Sequence, residues 1–222
     1  MKSSPDSLAD SAFQAIEEKI VTGALAPGSR VTERTLCDIT GLGRTPVREA
    51  LLRLTQGFLI EIQPRNGVLI TPIDYDVILM TIEVRRHVEH MIVERATRYA
   101  DDRDRRRLDA LRPVFQDATD RGDALAFIRA DNALNHMLNI AARHPVAAKV
   151  VWPLHSVSRR MGFAMGERNG EGFNITGPTH QKLIEAVVAG DVEGSSRALS
   201  GLLDAVEAIA RDRAAIGALH VA

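Results

Sequence analysis

Two groups of residues have types and spacings suited to chemistry. In the first, Arg44, Thr45 and Arg48 fall within little more than one helical turn. A guanidinium is a planar fork of donors that fits the acceptor edge of guanine or a phosphate, and a neighbouring hydroxyl can bond the backbone of a nucleic acid. In the second, polar residues interrupt apolar helical stripes: Arg85 and Glu89 at i, i+4, Asp131 and Asn135 at i, i+4, and His180 beside Leu183, Ile184 and Val187. Buried polar groups need partners. Arg85 therefore either pairs with Glu89 as a structural stitch or aims its fork at a ligand carboxylate, and His180 taken alone reads as a hydrogen-bonded core histidine.

The first group needs a helix whose N-terminal end is exposed. Val47, Ala50, Leu51 and Leu54 recur at i, i+3, i+4 and i+7, so one face is buried while Arg44 and Arg48 lie on another. Gly41-Leu42-Gly43 ends the preceding helix, Thr45 is expected to cap the new one, and Pro46 to take its first position. Two short helices joined by a Gly-containing turn describe a helix-turn-helix, whose second helix enters a DNA major groove. Arg53 stands about 180° around from Arg44 and is assigned to backbone contact or structure.

Upstream, a stripe of Leu8, Ala12, Ala15, Ile16 and Ile20 predicts a helix stopping at Thr22-Gly23, after a frayed tail over residues 1–7. Val31 reads as a very short strand, and Thr32 as the cap of a helix carrying Glu33, Arg34, Leu36 and Ile39. Downstream, Phe58–Ile62 and Val68–Ile70 are β-prone around a Pro64-Arg65-Asn66-Gly67 turn. That hairpin makes the unit a winged helix, with Arg65, Asn66 and Gly67 at the wing tip. Pro72 blocks helix and Asp74 caps the next one, which puts a boundary between a domain over 8–72 and a second over 74–216.

Composition narrows the function. The chain has 222 residues, 45% apolar and 26% charged, ordinary values for a globular protein. Its net charge is −1, so binding to nucleic acid must rest on local placement of arginines and not on bulk charge. One cysteine, Cys37, excludes an internal disulfide framework and reads as a small buried residue. The first residues lack the apolar stretch of a signal peptide, and no apolar run approaches the ~18 residues that suggest a membrane span.

From Tyr75 the patterns are all helical: to about Tyr99; from Asp101-Asp102-Arg103 to Arg121-Gly122; from Asp123 to about Arg143; from Val146 to Met165; from Pro178 to Gly190; and from Asp191 past Ile209. Gly166–Gly172 is expected as a loop. It lacks the Lys-Ser/Thr of a phosphate-binding loop. The fold class is mostly α, a winged helix-turn-helix followed by an all-helical bundle. No Ser–His–Asp or paired-carboxylate spacing marks an enzyme.

These pieces together resemble a known family. Ile20-x-x-Gly23-x-Leu25-x-Pro27-Gly28, Glu33-Arg34-x-Leu36, Gly41–Leu51, Leu54-x-x-Gly57 and Gly67-Val68 are similar to the GntR-family DNA-binding domain. Glu83-x-Arg85-x-x-Val88-Glu89, Asp131-x-x-Leu134 and His180-x-x-x-Ile184-x-x-x-x-x-Gly190-Asp191 resemble the FCD effector domain of its FadR-type members. One departure is Gly43, where the family has Ser or Thr.

The resemblance implies a cytoplasmic, ligand-responsive transcription regulator, a homodimer on operator DNA and more often a repressor. Its DNA contacts would be Arg34, Arg44, Thr45, Arg48, Arg65, Asn66 and Gly67. Its effector site would be Arg85, Glu89, Asp131, Asn135 and His180, with Arg85 favouring an organic acid or other anion. His155 and Arg159 are further candidates to face the cavity. Many FCD domains hold a divalent metal with one Asp and three His. Here Asn135 and Leu202 stand at two of those places, and His136 is turned about 100° from the first. No tightly held metal is expected, only a weak site at Asp131, Asn135 and His180. The rival reading is a small-molecule-binding or enzymatic bundle whose winged helix serves protein contacts.

Overall fold

The computed structural model describes residues 7–169 and 171–219. Its elements are α1 (Leu8–Val21), β1 (Arg30–Val31), α2 (Glu33–Thr40), α3 (Arg44–Gln56), β2 (Ile60–Gln63), β3 (Gly67–Ile70), α4 (Tyr75–Tyr99), α5 (Asp102–Asp109), α6 (Leu111–Arg121), α7 (Ala124–Ala141), α8 (Pro145–Asn169), α9 (Glu171–Ala189) and α10 (Val192–Leu219). They form two compact units. One holds the chain through Ile73 together with Pro153–Arg160, and the other holds Asp74–Trp152 and the chain from Met161. No described helix is long and apolar enough to cross a membrane.

The first unit is a winged helix. Ser7 and Asp10 cap the start of α1 reciprocally, and Thr32 caps α2 by accepting from the Thr35 amide. Phe13, Ile16 and Ile20 of α1 are fully buried with Leu36 of α2 and Val47, Leu51 and Leu54 of α3. Each such side chain contributes about 1.5–3 kcal/mol by leaving water. The sheet order is β1-β3-β2, both pairs antiparallel, with Ile62 opposite Val68 and Gln63 opposite Gly67. Leu8, expected in the core, is 63% exposed. Phe58 starts no strand: its φ of 58° places it in the left-handed turn that leads into β2.

In the second unit, α4 packs along α10, and α10 along α9. Arg86 of α4 bonds Asp204 at 2.7 Å and Glu207 at 2.9 Å across the α4–α10 seam. His90 adds a bond to Ser200 at 3.0 Å. Hydrogen bonds from Arg211 and Arg86 hold the Glu207 carboxyl below its usual range. A depressed folded pKa stabilises above the unfolded pKa and is lost as pH falls through the folded one. Denaturant unfolding at pH 7 and at about pH 4 is therefore expected to show a larger acid loss in the wild type than in Glu207→Gln. Equal losses would remove Glu207 from the acid response.

Four expectations about helix limits change. Thr45 does not cap α3: Gly43 is the N-cap, with no side-chain bond, and α3 starts at Arg44. Pro46 is thus the third residue of the helix, still in the first turn, where its missing N–H has no partner to lose. The helix expected over 101–121 is split at Ala110. Pro113 cannot donate four residues back, so the chain restarts and Pro113 sits in the first turn of α6. At the charged start of that region Arg105 donates to the carbonyls of Val187 and Val188 at the end of α9. Finally, residues 166–169 are the end of α8 and Glu171-Gly172 open α9, which leaves Pro178 inside a helix. Tertiary packing overrides the Gly and Pro signals, since Phe173 stacks on Phe127 at 4.4 Å and fixes the beginning of α9. Gly170 of the expected loop, and residues 1–6 of the expected tail, lie outside the described residues.

Candidate functional site

The turn between α2 and α3 is built on Gly41. Its φ of 68° is left-handed, and its amide closes α2 on the Cys37 carbonyl. Cys37 itself is half-buried. The turn delivers the start of α3 to the surface, where Arg44, Thr45 and Arg48 are all exposed, as is Arg34 on α2. Val47, one residue before Arg48, is fully buried and fixes the rotation of the helix.

Arg48 does not hang free. Its Nε donates to Glu33 Oε2 at 2.9 Å while the side chain stays 64% exposed. Sequence reasoning assigns Glu33 no such role; the available signal is an acid at the first position of the helix facing the arginines. Among the described residues no acid pairs with Arg34, Arg44 or Arg65. Arg53, in contrast, bonds Asp10 at 2.6 Å and lies 4.5 Å over the Phe13 ring, so it is structural.

The wing tip is strained in a specific way. Arg65 has φ 66° and Gly67 φ 81°, and the Asn66 amide closes the turn on the Gln63 carbonyl at 3.0 Å. A Cβ on Gly67 would stand 2.6 Å from the Val31 carbonyl oxygen, so only glycine lets β1 lie against the wing. Arg65 and Asn66 are exposed at the tip.

Gly43 has φ −70° and open space where a Cβ would stand. Gly43→Ser is therefore expected to add a few tenths of a kcal/mol of stability through an N-cap bond. It also adds a hydroxyl at the helix start that can reach phosphate. Thermal unfolding and DNA titration of the variant check both; a lower Tm would show that the turn needs glycine.

In the helical unit the second group divides in two. Arg85 and Glu89 are both buried, 6% and 5% exposed, and bond at 2.5 Å through Nε and 3.4 Å through a terminal nitrogen. Their charges cancel. Asp131 gathers the rest. Its Oδ2 accepts from the Asn135 amide at 3.1 Å and its Oδ1 stands 3.2 Å from His180 Nε2. His180 Nδ1 donates to the Thr176 carbonyl at 2.7 Å, and the ring stacks on Phe115 at 4.8 Å with its edge to Phe127.

This donor set does not fit the metal that the resemblance suggests. Asn135 turns an N–H donor towards Asp131 and Leu202 is a buried alkyl side chain. His136 is placed against Trp152, 5.6 Å between centroids. Among the described residues no three His, Cys, Asp or Glu side chains come together. Arg159 pairs with Glu17 in the winged-helix unit. His155 is buried in that same unit. A solvent-open groove of about 510 Å³ between α9 and α10 is rimmed by Lys182, Glu185, Asp191 and Arg197, and none of the five effector candidates lines it.

Residues 8–70 match the gntR family of bacterial regulatory proteins, and residues 81–205 match the FCD domain. The HTH-type transcriptional regulator McbR of Escherichia coli is 23% identical over 196 residues, 85% of this chain and 86% of that protein. The solved structure of E. coli McbR/YncC has the same fold, with a TM-score of 0.75 over 93% of this chain and 98% of that one, at 22% identity. A putative GntR regulator from Rhodococcus sp. RHA1 superposes with a TM-score of 0.66 at 19% identity, covering 92% and 97%.

Proposed function

We propose that this chain, which belongs to the GntR family of bacterial regulatory proteins and carries an FCD domain, is a homodimeric repressor that a small polar metabolite releases from its operator. Members of this family are ligand-responsive, DNA-binding transcription regulators, and this chain is one. Which residues meet DNA, and what the effector offers, go beyond that shared role.

The observation that carries the DNA assignment is the first turn of α3, exposed and armed with Arg44 and Arg48, with Arg48 steered by Glu33. Arg44, Thr45 and Arg48 meet base edges and phosphates in the major groove. Arg34 supports them from α2, and Arg65, Asn66 and Gly67 approach from the wing. Near-neutral net charge makes such binding depend on these few groups. Repression acts by occupying the promoter, in the compartment that holds the chromosome.

The effector is read by the helical unit. Arg85 is the group for an organic acid, and Glu89 is the carboxylate that a ligand carboxylate would replace. Asp131, Asn135 and His180 offer a second, differently charged set of polar atoms. Ligand binding shifts the chain between two arrangements by its different affinity for each.

Glu33→Gln tests the DNA reading. The acid repels phosphate while it aligns Arg48, so its removal is expected to strengthen binding to unrelated DNA and to weaken discrimination. Titration of the gene's own upstream fragment and of a scrambled fragment over a range of salt measures both. Absence of salt-dependent binding in the wild type would favour a winged helix used for protein contacts.

A further inference from the structure

α7 carries its asparagines on one face. Asn132, Asn135 and Asn139 stand at i, i+3 and i+7, which makes a strip about 10 Å long. All three are half-buried, beside the face on which Leu134, Leu138 and Ala141 enter the core. His136, one turn from both Asn132 and Asn139, packs edge-on to Trp152 of α8. Asn135 gives its N–H to Asp131 at 3.1 Å. The other two are not satisfied in this way. The Oδ1 of Asn132 and both the Oδ1 and the Nδ2 of Asn139 are shielded from solvent, and no group among the described residues bonds them.

Such atoms are rare in folded proteins. Each gives up its bonds to water on folding and receives none in return, so an apolar side chain would serve the helix better. Asparagine is also a poorer helix former than leucine. Packing therefore does not account for the strip. What it lacks follows from its chemistry. A carboxamide offers an acceptor and a donor side by side. Asn139 needs one partner of each kind, whichever way its amide is turned, and the Oδ1 of Asn132 needs a further donor. A carboxylate brings acceptors only, whereas a hydroxyl both donates and accepts. Charge is not what this unit is short of, since Arg85 is balanced by Glu89 and Asp131 faces Asn135 and His180.

We infer that Asn132 and Asn139 read the effector, and that the effector is a polyhydroxylated compound. Its hydroxyls donate to the two Oδ1 atoms and accept from the Nδ2 of Asn139. The inference rests on the reading of the helical unit as the binder of a small polar metabolite. The two asparagines discriminate a polyol from a plain carboxylate, because a ligand without donors leaves both oxygens stranded.

Titration calorimetry and thermal unfolding of the full chain, without DNA, test this with three probes. Sorbitol carries hydroxyls alone, gluconate hydroxyls and a carboxylate, and hexanoate a carboxylate alone. Sorbitol, gluconate or both are expected to bind saturably and to raise Tm, and hexanoate to do neither. Binding of hexanoate without the hydroxylated probes overturns the inference and leaves the effector reading standing. Binding of none of the three overturns both. Asn139→Leu is expected to keep or raise the Tm of the free protein, because it removes two unmet polar atoms, and to weaken binding of the hydroxylated probe by about tenfold or more. A lower Tm in the free variant shows that the fold itself satisfies the amide, for instance through a buried water, and overturns the assignment. Asn132→Leu repeats the test at a single oxygen, with the same two outcomes. No measurement in this set contains DNA, so a failure of the winged helix to bind DNA leaves every outcome unchanged.

Discussion

Arg159→Met is expected to lower the free energy of unfolding of the winged-helix unit by about 3–5 kcal/mol, because it leaves a buried carboxylate without its cation. Glu17 and Arg159 each have side chains only 5% exposed. Methionine fills most of the arginine's volume, so the loss comes from the charge and not from a cavity. The Ser156 hydroxyl remains as a donor to Glu17 but carries no charge. Replacing both ends, as Glu17→Leu with Arg159→Met, is expected to recover much of the loss, since two apolar groups need no partner. Chemical denaturation of the wild type, both single variants and the double variant closes the cycle. A single-variant loss below about 1 kcal/mol, the range of exposed pairs, would mean that water reaches the carboxylate and that the pair is not a buried one.

The second large effect is on DNA. Arg44→Ala and Arg48→Ala are each expected to weaken operator binding by about 1–3 kcal/mol, or roughly 5- to 150-fold. Neither is expected to destabilise the chain by more than about 0.5 kcal/mol, because both side chains are exposed. The Arg48–Glu33 bond does not alter that, since its partners are 64% and 36% exposed and surface pairs contribute little. The salt series sorts the two roles. Loss of a phosphate contact lowers the salt slope by about 1 and weakens all sequences alike. Loss of a base contact keeps the slope and erases discrimination. Intact circular dichroism with unchanged operator affinity in both variants would move the interface away from α3.

The winged helix is legible in the sequence because its signals are local. Gly41 and Gly67 need left-handed backbone, Thr32 caps a helix, and the apolar stripe of α3 fixes which face is hidden. The N-cap of α3 is Gly43, two residues before the expected Thr45, and a glycine cap makes no side-chain bond, so no hydroxyl or carboxylate marks it in the sequence. In the helical unit, periodicity locates α4 and α7 well, but the break at Pro113 and the helical run through 166–169 escape it. The first is a single-residue effect inside a good pattern. The second runs against the Gly-rich composition of that stretch, and it is followed in α9 by a ring stack between Phe173 and Phe127, residues distant in sequence.

The same division runs through the polar residues. The i, i+4 spacing of Arg85 and Glu89 already contains their pairing, because one helix sets that distance whatever surrounds it. Glu33 and Arg48 are 15 residues apart, Asp131 and His180 49, and Glu17 and Arg159 142. No periodicity relates such pairs. For Arg159 the sequence offers only a candidate to face the cavity, and its pairing with Glu17 follows from burial of that carboxylate, which requires a cation from elsewhere in the chain.

By itself, then, the sequence determined the family, the two kinds of unit and the arginines that α3 presents, all of which rest on short-range backbone and helix-face constraints. Only the tertiary structure decided that Glu33 steers Arg48, that the expected metal ligands assemble as a carboxylate with an amide and one imidazole, and that Pro153–Arg160 belongs with the winged helix. Those outcomes come from satisfying buried charges and donors across long sequence separations, a condition that the whole fold meets at once and that no local stretch encodes.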